Sequence, residues 1–359
     1  MPPKIPLPNF EHCDAFWARQ ETDRPLLSGW AGTFEIPQLY QSGLAQLPEG
    51  TLNPEDIKFE YFRDDYEKLF EDQKKIAADI PWAAFPLMGM PWVEAVFGCP
   101  IQHRDHQIWS EPWLDSYTRL EEEGLKLRQD WLEHLDGFTR WLVELSNERF
   151  PVALCLMRGP TDVLAAMRGA TQSIHDLYEH PEQVAEILNI VTDGWIEIAQ
   201  AQLAHIPKFA GGYSFSIENL WSRRPGGWLQ DDALAYWSPT LYREFVRDCE
   251  SVLSRSMAST GIHLHSSALF TVDDLLEMPD LDVIEINLDY SGARIPEMIP
   301  RFQQILAKKR LYIWGAFSTD DLLLLKENLS TRGLALQLMA ATPEQVQEKV
   351  EEVKSIWRQ

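Results

Sequence analysis

Two short runs hold the residues best suited to chemistry. In Gly261-Ile262-His263-Leu264-His265 imidazoles alternate with aliphatic side chains, and Val283-Ile284-Glu285-Ile286-Asn287-Leu288-Asp289 repeats the pattern with two carboxylates and an amide. Strand side chains alternate between faces, so His263 and His265 share one face, while Glu285, Asn287 and Asp289 share the matching face of the second run. Two imidazoles and a carboxylate brought together can ligate a divalent metal with one position left open, or polarise a substrate directly as a hydrogen-bonded pair. Such groups on an otherwise apolar strand are costly unless partners satisfy them.

The elements around these runs suit that placement. Residues 270–279 read as a helix between the two strands, which makes a βαβ unit with its polar positions toward the strand ends, where parallel α/β folds build sites. Further strand-like runs fall at 152–157, 209–215, 311–317 and 334–339, with weaker ones near 26–31 and 80–88. Helical patterns occupy 173–205, 239–258, 294–307, 319–328 and 343–357. Regular alternation implies a parallel sheet, and eight strands imply a (β/α)8 TIM barrel of the α/β class, with an elaborated N-terminal helical region. A single domain over residues 1–359 is expected, residues 1–25 forming an extension.

Other residues invite a role. Arg158, at an expected strand end, suits either an anion anchor or a structural ion pair. Asp79, after a charged helical stretch, and Asp231 or Asp232, ahead of Ser238-Pro239, are candidate acids, although Asp232 could equally shape a turn. His103 and His106 form a second close pair in a charged segment that reads as a solvated loop. Tyr213 and Trp314 lie on expected strands and are candidate substrate contacts.

Composition excludes some classes. A chain of 359 residues with 45% hydrophobic content can bury a full core, and its formal charge of −23 argues against a nucleic-acid partner. No stretch approaches the roughly 20 apolar residues needed to span a bilayer, and the first residues lack the apolar core of a signal peptide. Cys13, Cys99, Cys155 and Cys249 form no CxxC pair, so reduced thiols in a cytoplasmic protein are expected. The 14 tryptophans suit the core and contacts between subunits, or an aromatic-walled pocket.

In order and spacing, several segments resemble the uroporphyrinogen decarboxylase superfamily, which includes zinc-dependent methyltransferases working with corrinoid and thiol carriers. The likeness covers roughly residues 22 to 355 and rests on Arg158-Gly159-Pro160-Thr161-Asp162, Met167-Arg168-Gly169, Asp231-Asp232 through Ser238-Pro239 with Tyr242-Arg243-Glu244-Phe245, Gly261 to His265, Trp314-Gly315-Ala316-Phe317 and Thr342-Pro343-Glu344. Departures choose among members. Where decarboxylases carry an arginine-rich run to hold a tetrapyrrole, this chain has Ser28-Gly29-Trp30-Ala31-Gly32-Thr33, and their late histidine is replaced by Gln337-Leu338-Met339-Ala340. Authentic uroporphyrinogen decarboxylation is therefore disfavoured.

The methyltransferases' His-x-Cys becomes His263-x-His265 here, and no cysteine lies between 330 and 345. The resemblance thus implies a divalent metal, zinc foremost, on His263 and His265, with Glu285, Gln337 or a residue that the sequence does not place as third ligand. In that reading Glu285 doubles as a base, and Arg158, Asn287, Tyr213, Trp314 and Gln337 meet a small methylated substrate. No Asp-x-His-x-x-Gly cobalamin signature is present, so a corrinoid would come from a separate partner protein. A homodimer is a further family trait. Two alternatives remain open: metal-free decarboxylation or lyase chemistry using Asp79 and the histidines, and a barrel that binds a ligand without turnover.

Overall fold

The computed structural model describes residues 5, 7–32, 36–118, 120, 124–289 and 292–358. Six parallel strands form its main sheet. They are β1 (Leu26–Ala31), β7 (Gly226–Gln230), β8 (Ser259–Leu264), β9 (Val283–Asn287), β10 (Arg310–Gly315) and β11 (Leu334–Ala340), in the order β1-β11-β10-β9-β8-β7. Three small strands, β2 (Gly50–Leu52), β3 (Ile101–Arg104) and β4 (Gln107–Ser110), make a separate antiparallel sheet, and β5 (Tyr213–Ser214) pairs with β6 (Trp221–Ser222) in a third.

β1 and β8 are buried along their whole length, as expected of parallel strands covered on both faces. Helices Ile295–Lys308, Thr319–Asn328 and Pro343–Arg358 follow β9, β10 and β11 in turn. Each buries an aliphatic stripe, for example Val346, Val350 and Val353 at helical spacing. Ser318 caps the second of these by accepting from the Asp321 amide.

The expected eight-stranded closed barrel is met in part. The curled six-stranded sheet is continuous, whereas the segments near 80–88 and 152–157 carry only isolated parallel bridges, Ala84 to Val152 and Arg158 to Gln230. Proline explains the interruption: Pro81, Pro86, Pro151 and Pro160 have no amide hydrogen to donate to a ladder. The run 209–215 does not enter the main sheet; its place is taken by Gly226–Gln230, which sequence periodicity passed over.

The helical stretch 173–205 is two helices, Ala170–Glu179 and Pro181–Leu203, with Pro181 starting the second. The N-terminal region is helical as expected, with Phe10–Trp17, Arg63–Gln73 and the amphipathic Gln129–Ser146. Among the described residues no helix is long and apolar enough to cross a membrane.

Candidate functional site

His263 sits within β8, in register with Gln230 of β7 and Glu285 of β9. Its Nδ1 lies 2.9 Å from Glu285 Oε1, and the other oxygen of that fully buried carboxylate accepts the Trp228 indole N–H at 2.9 Å. Gly261 is what lets Trp228 cross the neighbouring strand, since a Cβ there would collide with the indole. His265 stands one residue beyond β8, with Nδ1 2.6 Å from Asp289 Oδ1. Asp289 is fixed in turn by the Ser266 amide and hydroxyl at 3.0 and 2.8 Å, and by the Asn287 amide at 3.2 Å.

These contacts decide where the protons lie. A neutral imidazole has one N–H, and an ionised carboxylate only accepts, so Glu285 and Asp289 each hold a proton on the Nδ1 of their histidine, and a ring in its neutral form keeps its lone pair on Nε2. The two Nε2 atoms face each other at 3.2 Å. Asp232 Oδ1 lies 3.4 Å from the His265 Nε2 and 4.0 Å from that of His263, while its Oδ2 accepts from Gln230 at 2.7 Å. Three electron-rich atoms so close require a positive charge among them, either a proton or a metal.

Burial works against charging His263. The carboxylate of Glu285, followed by those of Asp232 and Glu218, outweighs it and pushes the pKa up to about 9. Burial likewise works to raise Asp289, but the bonds from Ser266 and His265 keep it below the usual carboxylate range. Two imidazole nitrogens and one carboxylate oxygen are a suitable donor set for zinc or a similar divalent ion, with room for a further ligand.

The histidines open onto a cavity of about 680 Å³ with aliphatic and aromatic walls including Met88, Ile217, Leu288, Trp314 and Met339. Arg158, Gln230 and Asn287 supply polar lining. The Arg158 side chain is 42% exposed, and a guanidinium nitrogen stands 3.4 Å from Glu94, a carboxylate only 1% exposed. Glu94's negative charge chiefly raises the Arg158 pKa, keeping the guanidinium cationic at the cavity edge. Burial raises Glu94 despite its partner.

The structure thus brings together His263, His265, Asp232, Asn287, Arg158 and Trp314, and separates the rest. Glu285 is behind His263, with its oxygens engaged by His263 and Trp228, and the carboxylate oxygen that approaches both Nε2 atoms is that of Asp232. Gln337 is also fully buried, bonded to the Ile217 carbonyl at 3.0 Å and to the Tyr312 hydroxyl, below the cavity wall rather than on it. Tyr213 pairs with Ser222, whose hydroxyl meets Ser259 at the start of β8, the strand end remote from His265.

Asp79 is also at that remote end. It accepts Arg24 at 2.5 and 2.7 Å and the Leu27 amide at 2.9 Å. Burial works to raise it, yet the bonds from Arg24 and His12 hold it well below the usual range, so it is a structural ion-pair member rather than an acid for the histidines. His103 lies buried on strand Ile101–Arg104 with Nδ1 2.9 Å from the Pro48 carbonyl, not in a solvated loop, and His106 occupies the adjoining turn.

Sequence reasoning missed Trp228 and Gln230, because the glycine pair before them hides a strand. It also missed the partnership of Asp162 with Asp231. Both are buried, and burial, partly offset for Asp162 by the Arg158 charge, raises each above the usual carboxylate range. Polar residues flanking a short apolar run, as in Trp228-Leu229-Gln230-Asp231, were the available signal.

Neither a protein-family model nor a curated protein matches the sequence. Among solved structures the chain is similar to a methyltransferase from Methanosarcina mazei, with 14% identity and a TM-score of 0.65 over 98% of this chain and 100% of that one. That full-length likeness is one of fold, and it is consistent with the uroporphyrinogen decarboxylase-like resemblance carried by the sequence. A second overlap, with a protein provisionally assigned as an aldo-keto reductase from Pseudomonas aeruginosa, has 12% identity and a TM-score of 0.28 over 62% of this chain and 84% of that one, too slight to bear on the fold.

Proposed function

We propose that this protein is a metal-dependent methyltransferase in which Asp232, His263 and His265 hold a divalent ion, zinc foremost, and a small methylated compound occupies the adjoining cavity. The observation that carries the reading is the convergence of two imidazole lone pairs and a carboxylate oxygen, each histidine being locked in the ligating tautomer by its own carboxylate. Carboxylate-oriented histidines are the usual support of protein metal sites. The fold shared with a methyltransferase adds to it.

A bound metal would supply Lewis acidity toward the substrate atom that gives or receives the methyl group. The chain's own residues do the rest. Glu285 and Asp289 orient the histidines, and Trp228 holds Glu285. Arg158 attracts an anionic end of the substrate, Asn287 and Gln230 offer hydrogen bonds, and the walls around Trp314 and Met339 exclude water. The methyl group's other carrier, in this reading, is a corrinoid on a separate protein. We also take segments 80–84 and 152–158 as the remaining staves of a closed barrel; supporting this, the Asp79 and Ile80 amides donate to the Leu27 carbonyl at 2.9 and 3.3 Å.

Metal analysis of the purified protein, beside a His263→Ala/His265→Ala variant, is the direct test. About one zinc per chain, lost in the variant while it remains folded, supports the proposal. Metal-free wild type that takes up none on incubation with zinc refutes it.

A further inference from the structure

The third donor of the triad, Asp232, stands where two helices start against each other. Residue 232 opens the short helix Asp232–Tyr236, and Thr161 and Asp162 lie in the first turn of helix Pro160–Arg168. Asp231 Oδ1 accepts the Thr161 amide at 2.8 Å and its hydroxyl at 2.6 Å. In the opposite direction, Asp162 Oδ1 accepts the Ala233 amide at 2.8 Å. Each aspartate thus caps the other's helix, and the backbone on both sides of Asp232 is pinned. A third tie runs through the main chain, where the Gly159 amide donates to the Gln230 carbonyl at 2.6 Å. Position 159 must lack a side chain, because a Cβ would strike the Asp231 carboxylate.

The arrangement is costly as a mere structural joint. The second oxygens of Asp162 and Asp231 are buried without a hydrogen-bond partner among the described residues, and an unsatisfied buried acceptor costs about 1–3 kcal/mol. Incompletely satisfied buried groups beside a site point to a constraint that the site itself imposes.

We infer that Thr161, Asp162 and Asp231 are positioning residues which hold the Asp232 carboxylate against the two histidines by this reciprocal clamp; the inference rests on the metal-site reading above. The clamp acts on backbone geometry, so an asparagine or serine that keeps the hydrogen bond preserves it, and a side chain that cannot accept or donate releases Asp232.

The test uses the full chain freed of metal, with zinc(II) affinity measured by chelator competition and ligation followed by the visible absorption of added cobalt(II), alongside melting temperature. Relative to wild type, Asp162→Ala and Thr161→Val lose 10- to 100-fold in zinc affinity, as removal of groups behind metal ligands does elsewhere, and their cobalt band changes as it does in Asp232→Ala. Asp162→Asn and Thr161→Ser stay within about threefold, the rescue that distinguishes a clamp from general packing. If Asp162→Ala does not fold, the Thr161 pair decides alone. Wild-type affinity and cobalt spectrum in the disrupting variants, with affinity lost in Asp232→Ala, overturn the clamp and leave the metal reading standing. A wild type that binds neither ion, or an Asp232→Ala variant that binds as wild type, overturns both.

Discussion

Replacing Glu285 by glutamine separates orientation of His263 from simple packing, since the two side chains have nearly the same shape. In the wild type one oxygen accepts from His263 and the other from the Trp228 indole, each at 2.9 Å, with the carboxylate wholly buried. Glutamine has a single acceptor oxygen. Turned toward Trp228, it presents its NH2 to His263 Nδ1, which must then accept, moving the imidazole proton to Nε2 where the lone pair is needed. Turned the other way, it sets two N–H groups against each other at Trp228 and leaves both short of an acceptor, at about 1–3 kcal/mol. The first arrangement costs less, so the variant folds with His263 in the non-ligating tautomer. A loss of 10- to 100-fold in zinc affinity follows, or about 1.4–2.8 kcal/mol. Chelator competition measures the affinity, and nitrogen chemical shifts of the histidine rings in metal-free protein report the tautomer. Zinc binding within about threefold of wild type, or His263 still protonated on Nδ1, would refute the reasoning.

Arg158→Gln raises KM for an anionic substrate more than it lowers kcat, read by steady-state kinetics, and leaves zinc affinity near wild type because Arg158 contacts none of the three donors. Glu250 is wholly buried, and burial pushes its pKa up to about 8 from an ordinary 4.5, so the folded state holds a proton that the unfolded chain releases. Its contribution is therefore complete below about pH 4.5 and is lost as pH rises toward 8. Glu250→Gln, which can still accept from Tyr242, flattens that decline by up to about 1.4 kcal/mol per pH unit in urea titrations between pH 5 and 8. Arg24→Gln strips Asp79 of its partner and costs about 3–5 kcal/mol of stability, without changing zinc affinity; a loss of metal in that variant would return Asp79 to the site.

Legibility from sequence followed local periodicity. His263, His265, Glu285, Asn287 and Asp289 were readable as one face of two neighbouring strands, because alternation fixes facing without knowledge of the rest of the fold. Which carboxylate meets the free nitrogens was not readable. Glu285 lies in register with His263 and so meets Nδ1 from the side, whereas Asp232 arrives from a turn after β7, a strand whose Gly226-Gly227 start has little strand propensity. Asp79 and Tyr213 were misplaced for a related reason: both adjoin elements of the sheet but at its opposite end, and strand direction at an isolated polar residue cannot be read from composition. The resemblance pointed to these segments, and the carboxylate that the fold brings to the two Nε2 atoms is an aspartate it did not name as a ligand.

Charge gives an independent reason to favour a metal over a proton at the triad. Asp232, Glu285 and Asp289 place three carboxylates on two imidazoles, and Glu218, in the turn between Tyr213–Ser214 and Trp221–Ser222, adds its field to His263. One shared proton leaves this group with an excess of negative charge in a chain already at −23. A divalent ion would remove most of that excess while meeting all three donor atoms together. Glu94 holds the cationic Arg158 at the cavity edge; with a metal on the proposed triad the local demand for positive charge would be met there, and the guanidinium would stay available to the substrate.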